Sequence, residues 1–237
     1  MDGIVDSLRL GWSALLLKDE AYEKMRIDPN PVVKGLILIV VVGVVIALLG
    51  LVGDVLEWAS TPNLNAIRNT ILDYLPRMPW WEEASRDPNF PQFFDQMWNW
   101  NWDIATWFAP SPGKAAINIV LVPLGLIVRW LIYGLLAYVF ARWLGGTGDL
   151  SATLGVLALS VAPQALNALK LLPFVELGSL VSIWGILCAY VGLKTAHKLH
   201  WYRAFWATLL PFILVIVVGI LASCLGTAIF AALVRGG

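Results

Sequence analysis

Five long apolar segments constrain the fold of this chain more than any other feature. They lie at residues 34–53, 115–144, 150–170, 177–194 and 205–232. Each approaches or exceeds the roughly 20 residues that an α-helix needs to cross a ~30 Å hydrocarbon core. The sequence therefore predicts an all-α integral membrane protein with five transmembrane helices in one membrane domain.

The composition agrees with this prediction. Hydrophobic residues make up 59% of the chain and charged residues only 14%, whereas soluble domains carry about a quarter charged residues. The net charge is zero, which gives no electrostatic reason to expect nucleic acid as a partner. Cys188 and Cys224 lie inside apolar segments without a neighbouring histidine, so we interpret them as small buried residues.

Residues 1–33 precede the first predicted span and form a leader. Its apolar side chains recur at helical spacing, namely Ile4, Leu8, Trp12, Leu15 and Leu16. This pattern predicts a short amphipathic helix on the cytoplasmic membrane surface. The leader lacks a short apolar core behind a basic start, so no cleavable signal peptide is expected.

Residues 54–114 form a long polar connection that prolines divide into short helices. It contains the stretch MWNWNWDIATWF at 97–108. As a strand, this stretch would place Trp98, Trp100 and Trp102 on one face. As a helix, it has two opposite aromatic stripes, one of Phe94, Trp98 and Trp102 and the other of Phe93, Trp100 and Trp107.

Tryptophans of this connection are the candidate interface residues: Trp80, Trp81, Trp98, Trp100, Trp102 and Trp107. Tryptophan prefers the membrane–water boundary and is enriched in binding hot spots. Three interpretations remain open: a belt that contacts membrane lipids, a docking surface for another membrane protein, and a small-molecule pocket.

The distribution of lysine and arginine predicts the orientation. Nine lie in the leader and in the connections on its side of the membrane, and six are spread over the opposite side. The positive-inside rule then predicts a cytoplasmic N-terminus, an outside C-terminus and an outward-facing connection at 54–114.

Glycines recur at seven-residue steps in three spans: Gly43 and Gly50; Gly178, Gly185 and Gly192; Gly219 and Gly226. Small residues allow close helix packing in lipid, and a step of seven keeps them on one stripe. The stripes fit helix packing within the chain or a seam for self-association or a partner.

Polar residues in the spans form a second candidate site. Arg129 lies mid-span, where a charge costs about 2.5–3.5 kcal/mol on insertion scales, so we expect it to face the bundle interior. Pro163 is expected to free the carbonyl of Leu159, and Arg129 to bond to that carbonyl and to Gln164, with Asn167 nearby. This arrangement fits a packing lock or a transport or lipid-headgroup site.

A proton relay is not expected, because the acidic residues flank the span cores: Asp54, Glu57, Asp149 and Glu176. His197 and His200 are predicted to share one helix face beside Lys198 and Arg203. Two ligands do not make a metal site, so we interpret the pair as an anionic-lipid or topology anchor. Catalytic and cofactor-binding motifs are missing from the sequence, so neither an enzyme nor a bound cofactor is expected.

Two segments carry a family resemblance. YVFARWLGGTGDLSATLGVLALSVAPQAL (138–166) and SIWGILCAYVGLKTAHKLHWYRAFWATLLP (182–211) resemble the Yip (Ypt/Rab-interacting protein) domain family in its bacterial form. The matching residues are Tyr138, Arg142, Gly145, Gly146, Gly148, Leu150, Thr153, Ala162, Pro163, Trp184, Gly192, Leu193, His197, Arg203, Ala204 and Pro211. The leader segment LLLKDEAYEKM, with Trp12, also resembles bacterial members.

The resemblance implies five spans, a cytosolic N-terminus and a place in the bacterial cytoplasmic membrane. Eukaryotic relatives are non-enzymatic adaptors that bind Rab-class small GTPases and associate with each other. Their soluble N-terminal extension is missing here, so GTPase binding is not expected. We therefore expect a membrane scaffold or an accessory subunit of a membrane complex. The alternative is a small permease or lipid-handling protein with its polar site around Arg129 and Pro163.

Overall fold

The computed structural model describes residues 2–60, 64–109, 112–171 and 177–235, so that Glu176 lies outside the described residues. The described chain is almost entirely helical, and five of its helical segments are long and apolar enough to cross a membrane. The prediction of an all-α membrane protein with five spans is confirmed.

The α-helices have the following bounds in chain order: α1 Asp2–Leu15, α2 Asp19–Arg26, α3 Pro31–Ser60, α4 Leu64–Tyr74, α5 Pro79–Ala84, α6 Phe90–Phe108, α7 Pro112–Trp143, α8 Leu150–Ala158, α9 Gly178–His197 and α10 Trp201–Arg235. Two 3₁₀ segments, Leu75–Arg77 and Leu159–Leu171, directly follow α4 and α8. The five spans are α3, α7, α8 with its 3₁₀ continuation, α9 and α10.

The third span is not a single α-helix. Asp149 caps α8, because its side chain accepts a 2.8 Å hydrogen bond from the Ala152 N–H. The α-helix then ends at Ala158, and the chain continues as a 3₁₀ helix that contains Pro163. The third span is therefore α-helical only up to Ala158.

α8 is the centre of the bundle, and its residues from Ala152 to Ala158 are all buried. α3, α7 and α9 pack against it. A Cβ added at Gly35 would lie 2.6 Å from Ala158 Cβ, and one at Gly155 would lie 2.5 Å from Pro31 Cβ. Glycine therefore lets α3 and α8 run side by side at close range. α10 lies at the periphery and is mostly exposed.

The predicted glycine stripes divide into two groups. Gly43 lies against Pro123 of α7, Gly185 against the Ser160 carbonyl, and Gly192 against Val156 of α8. The other four have no neighbouring atom within 4 Å of an added Cβ: Gly50, Gly178, Gly219 and Gly226. Among the described residues, only the first group contacts a neighbouring helix, since the second group has open space where a side chain would start.

The leader is docked on the bundle. The Ala14 carbonyl at the end of α1 accepts hydrogen bonds from Tyr22 Oη (3.1 Å) and Cys188 Sγ (3.5 Å), and Trp184 Nε1 donates to the Leu15 carbonyl at 2.8 Å. Carbonyls at a helix end lack their usual α-helical partners. The Ala14 carbonyl also accepts from the Leu17 N–H at 2.9 Å, so side chains and a turn together satisfy this helix end. Burial raises the pKa of Tyr22, so that residue stays a neutral donor.

Lys34 at the start of α3 adds an ionic clamp to the leader. Its Nζ lies 2.6 Å from carboxylate oxygens of both Asp6 and Asp28. The hydrogen bond from Lys34 holds the pKa of Asp6 below its ordinary value. Exposed apolar side chains lie on the outward side of the leader, namely Ile4, Leu8 and Trp12 of α1 and Leu16 just after it.

The connection between the first two spans folds into its own small helical unit of α4, α5 and α6. The Arg68 guanidinium of α4 donates to Asn99 Oδ1 of α6 at 2.6 Å. Trp81 of α5 contacts Phe94 of α6, with ring centroids 4.9 Å apart. We call α4 to α6 the outer unit, after the side of the membrane predicted for it.

Candidate functional site

Arg129 does not lie in the bundle interior. Its side chain is exposed on the surface of the isolated chain, at the rim of a cavity between α7, α9 and the 3₁₀ segment. Polar and aromatic groups share this cavity: Tyr133, Ser160, Gln164 and Phe212. The cavity holds only about 50 Å³, which is room for a few water molecules and far below the ~300–1,000 Å³ of typical ligand pockets.

The expected bonds from Arg129 to Leu159 and Gln164 are not formed. The oxygen of the Gln164 amide accepts instead from Asn167 Nδ2 at 2.7 Å. A 3₁₀ helix pairs each carbonyl with the N–H three residues later. Pro163 has no N–H, so the carbonyl that it affects is that of Ser160. That carbonyl lies 3.2 Å from an added Cβ at Gly185, on the α9 side of the cavity.

A second, apolar groove begins at Arg129 and lies between α7 and α10. It measures about 320 Å³ and is lined mainly by aliphatic and aromatic side chains: Ile132, Leu136, Pro211, Phe212, Val215 and Ile216. Tyr133 Oη donates to the Thr208 carbonyl at 3.1 Å and joins the two helices. Arg129 therefore stands where the small polar cavity meets a groove on the lipid-facing surface.

His197 is buried rather than facing lipid, which corrects the anchor interpretation. α9 ends at His197, and Lys198 adopts a left-handed conformation with φ 51°. This turn, which the sequence pattern did not reveal, removes His200 from the helix on which the pair was predicted. His200 itself is exposed.

The tautomer of His197 follows from its partner. Thr153 Oγ1 donates to the Asp149 carbonyl and lies 2.8 Å from His197 Nε2. A hydroxyl has one proton, so Nε2 must be the donor in the second bond. His197 Nδ1 is buried without a hydrogen-bond partner and faces Gly146, whose added Cβ would lie 2.6 Å from it.

The GGTGD turn between α7 and α8 closes over His197. Thr147 N donates to the His197 carbonyl at 3.2 Å, and Arg142 Nη1 donates to the Gly146 carbonyl at 3.2 Å. Arg203 Nη1 reaches the Leu144 carbonyl at 3.3 Å. We call this cluster the glycine-turn junction. Sequence reasoning recognised these residues only as separate motifs and missed that they meet.

The tryptophan block is helical, so the strand interpretation is wrong. Along α6, Phe94, Trp98 and Trp102 form a ladder with ring centroids 5.5 and 5.7 Å apart. The ladder continues through Trp81 to Trp80, whose rings lie 5.6 Å apart. It holds the outer unit together, and therefore only part of the block is free to contact another molecule.

The opposite face of α6 carries an exposed apolar stripe. Its members follow one another at alternating steps of four and three residues: Phe93, Met97, Trp100, Ile104 and Trp107. Such spacing keeps side chains on one face of a helix. α6 contains two aspartates and no lysine or arginine.

Within the described residues, no cluster of three or more His, Cys, Asp or Glu side chains could hold a metal ion. The described part of the chain offers an exposed arginine on α7, a buried polar junction and an exposed aromatic stripe. These are features of contact and packing.

Comparison with known proteins identifies the family. The Yip1 domain model matches residues 12–223, which run from Trp12 of the leader into α10. No curated protein and no solved structure is detectably similar to the chain. The match covers most of the chain and agrees with the resemblance of the segments at 138–166 and 182–211. The chain therefore belongs to the Yip1 domain family.

Proposed function

We propose that this protein is a non-enzymatic membrane scaffold, acting as an accessory subunit of a larger membrane complex. The observation that carries the proposal is the exposed stripe on α6. Phe93, Trp100 and Trp107 are each more than 60% exposed in the isolated chain. Large aromatic side chains in one row are typical of binding hot spots rather than of a free surface.

A protein partner suits this stripe better than an anionic lipid surface. Interfacial helices that bind anionic lipid usually carry lysine and arginine on the polar face, whereas the charges of α6 are Asp95 and Asp103. Heptad-like spacing is the arrangement by which one helix packs along another. Only three residues separate α6 from α7, so the Trp107 end of the stripe is held close to the membrane boundary, which favours a membrane protein as the partner.

The proposed location is the bacterial cytoplasmic membrane, with the leader in the cytoplasm and the outer unit outside. The excess of lysine and arginine on the leader side supports this orientation.

Purification from the native membrane in a mild detergent tests the proposal. The wild type should migrate in a complex larger than its 26.1 kDa monomer. Trp100→Ser with Ile104→Ser should release the monomer, whereas Gln92→Ser with Gln96→Ser, on an exposed polar part of the same helix, should not. A wild type that is monomeric after mild extraction, and that forms no crosslinked adduct in the membrane, would rule out the scaffold.

If the complex survives the Trp100 and Ile104 changes, the stripe is a lipid belt and the partner surface lies elsewhere. The Trp98 and Trp102 side chains are poor choices for this experiment, because both belong to the ladder inside the outer unit.

A second candidate is a lipid-handling protein, which the position of Arg129 between the polar cavity and the apolar groove favours. An amphipathic molecule could place a polar head at Arg129 and an acyl chain along the α7–α10 groove. The cavity of about 50 Å³ speaks against a permease for a soluble substrate. Lipid transfer between leaflets of reconstituted vesicles should then fall when Arg129 is changed to leucine, and an unchanged rate would exclude this function.

A further inference from the structure

Two arginines reach the turn between α7 and α8. Arg142 lies in the last turn of α7, and its Nη1 donates to the Gly146 carbonyl at 3.2 Å. Arg203 lies in the first turn of α10, and its Nη1 donates to the Leu144 carbonyl at 3.3 Å. A single residue separates these two carbonyls, so both guanidinium groups are held on the same short turn. We call Arg142 and Arg203 the arginine pair.

Each member of the pair has hydrogen-bonding capacity left. A guanidinium has five N–H donors, and each arginine gives one hydrogen bond to the turn. Among the described residues, neither arginine forms an ion pair, and both side chains are exposed. Asp149 is the acid of this turn, and its carboxylate caps α8 instead. The pair is therefore two neighbouring positive charges without a carboxylate partner, which favours an anion as the ligand.

The backbone of the turn is not free to bind an anion. The N–H groups of Gly145, Gly146 and Thr147 already donate to carbonyl oxygens of α7 and α9. A Cβ added at Gly145 would lie 3.0 Å from Arg203 Nη1, so glycine lets this guanidinium approach the turn closely. The partial positive charge at the N-terminus of α10 lies at the same end of the bundle. An anion here would be held by the guanidinium groups, with support from this helix end.

The pair lies where two membrane spans end. The second span ends at Trp143, and the fifth begins at Trp201. The side chains of Trp143, Trp201 and Tyr202 are exposed, and each lies within two residues of an arginine of the pair. Tryptophan and tyrosine are enriched at the membrane–water interface, which is also the level of the lipid headgroups. Basic residues between the ends of membrane helices bind anionic headgroups there.

We propose that the arginine pair is a binding site for a phosphate group, supplied by an anionic phospholipid of the adjacent leaflet. A guanidinium and a phosphate form two parallel charge-assisted hydrogen bonds. This site differs from the histidine anchor expected from the sequence, because His197 is buried under the turn whereas both arginines lie on its exposed side. The inference does not depend on the scaffold function.

Lipid binding to the full-length protein in detergent tests the site. Native mass spectrometry compares phosphatidylglycerol with phosphatidylcholine of the same acyl chains, and the wild type should prefer phosphatidylglycerol. Arg142→Gln and Arg203→Gln should each weaken phosphatidylglycerol binding about fivefold, the effect of one basic residue at an anionic membrane surface. Phosphatidylcholine binding should not change. Arg86→Gln, the same charge change in the outer unit, should leave the preference as it is in the wild type.

The bonds from the pair to the turn also support the fold, so stability must be separated from lipid binding. The Tm of the lipid-free protein reports the support of the turn, and the rise in Tm on adding phosphatidylglycerol reports binding. The glutamine variants should lose most of this rise, whereas Arg142→Lys and Arg203→Lys should keep part of it because they keep the charge. A lower lipid-free Tm with an undiminished rise would show that the arginines only support the turn, and would overturn the proposal.

Soluble probes identify the source of the phosphate group. Inorganic phosphate and glycerol 3-phosphate should stabilise the wild type much less than phosphatidylglycerol, because they lack the acyl chains that hold a lipid beside the spans. Equal stabilisation by inorganic phosphate would make the site one for a soluble anion and would overturn the lipid assignment. Equal binding of the two lipids by the wild type, or a preference that survives the double glutamine variant, would overturn the site itself.

Discussion

Replacing Thr153 with valine should destabilise the glycine-turn junction far more than the small change of shape suggests. The Thr153 hydroxyl is fully buried, donates to the Asp149 carbonyl and accepts from His197 Nε2 at 2.8 Å. Valine removes both bonds and leaves Nε2 of a buried histidine without a partner. Nδ1 of the same ring is already unpaired, so His197 would have no side-chain hydrogen bond.

The expected loss follows from these two bonds. Each contributes about 0.5–1.5 kcal/mol net, and an unpaired buried donor adds a desolvation penalty of similar size. A total of about 3 kcal/mol corresponds to a fall in Tm of roughly 6–12 °C for a chain of this length. Thermal unfolding in dodecyl maltoside, followed by circular dichroism, would measure it.

Thr208→Val is the matched control. Thr208 is also buried, but its hydroxyl bonds only to the Ala204 carbonyl of its own helix at 2.8 Å. Its replacement should cost less than about 1 kcal/mol. A double-mutant cycle of Thr153→Val with His197→Leu should show a coupling of about 0.5–3 kcal/mol. Equal Tm shifts for the two threonines together with zero coupling would refute the assigned bond.

Three further predictions concern the turns and the orientation. Gly146→Ala should lower the unfolding free energy by about 1–3 kcal/mol, because its Cβ would lie 2.6 Å from His197 Nδ1. The control Gly178→Ala, where a Cβ meets open space, should show no loss. A similar loss in both variants would contradict the packing at Gly146. Lys198→Gly should raise the Tm slightly, since the exposed Lys198 has φ 51° and glycine avoids a left-handed penalty of roughly 1 kcal/mol. A lower Tm would contradict the left-handed conformation at the end of α9. In intact cells, a membrane-impermeant maleimide should label Gln92→Cys in the outer unit but not Glu20→Cys in the leader; the reverse pattern would invert the predicted topology.

Much of the architecture was predictable, because the length and polarity of a segment determine whether it can span a membrane. A helix satisfies its own backbone in lipid, so five apolar segments were enough to predict five spans. The same reasoning located the leader helix α1 and the two aromatic stripes of α6.

The candidate sites were less predictable, because each depends on which side chains the neighbouring helices cover and which they leave exposed. The 3₁₀ geometry after Ala158 changed which carbonyl Pro163 affects. The left-handed conformation of Lys198 ended α9 and turned His197 inward. The sequence did not indicate this turn, because residues other than glycine rarely adopt a positive φ. The position of Arg129 on the outside of α7 could not be read from its central place in the span.

The sequence by itself determined that this is a five-span membrane protein of the Yip1 family, because hydrophobic length and local motifs are properties of the chain alone. The tertiary structure decided which residues became interior and which became surface. It buried His197 under the glycine turn, divided the tryptophans into a ladder and an exposed stripe, and left Arg129 at the α7–α10 groove. Helix rotation and close glycine contacts decide these positions, and both arise only when the helices pack.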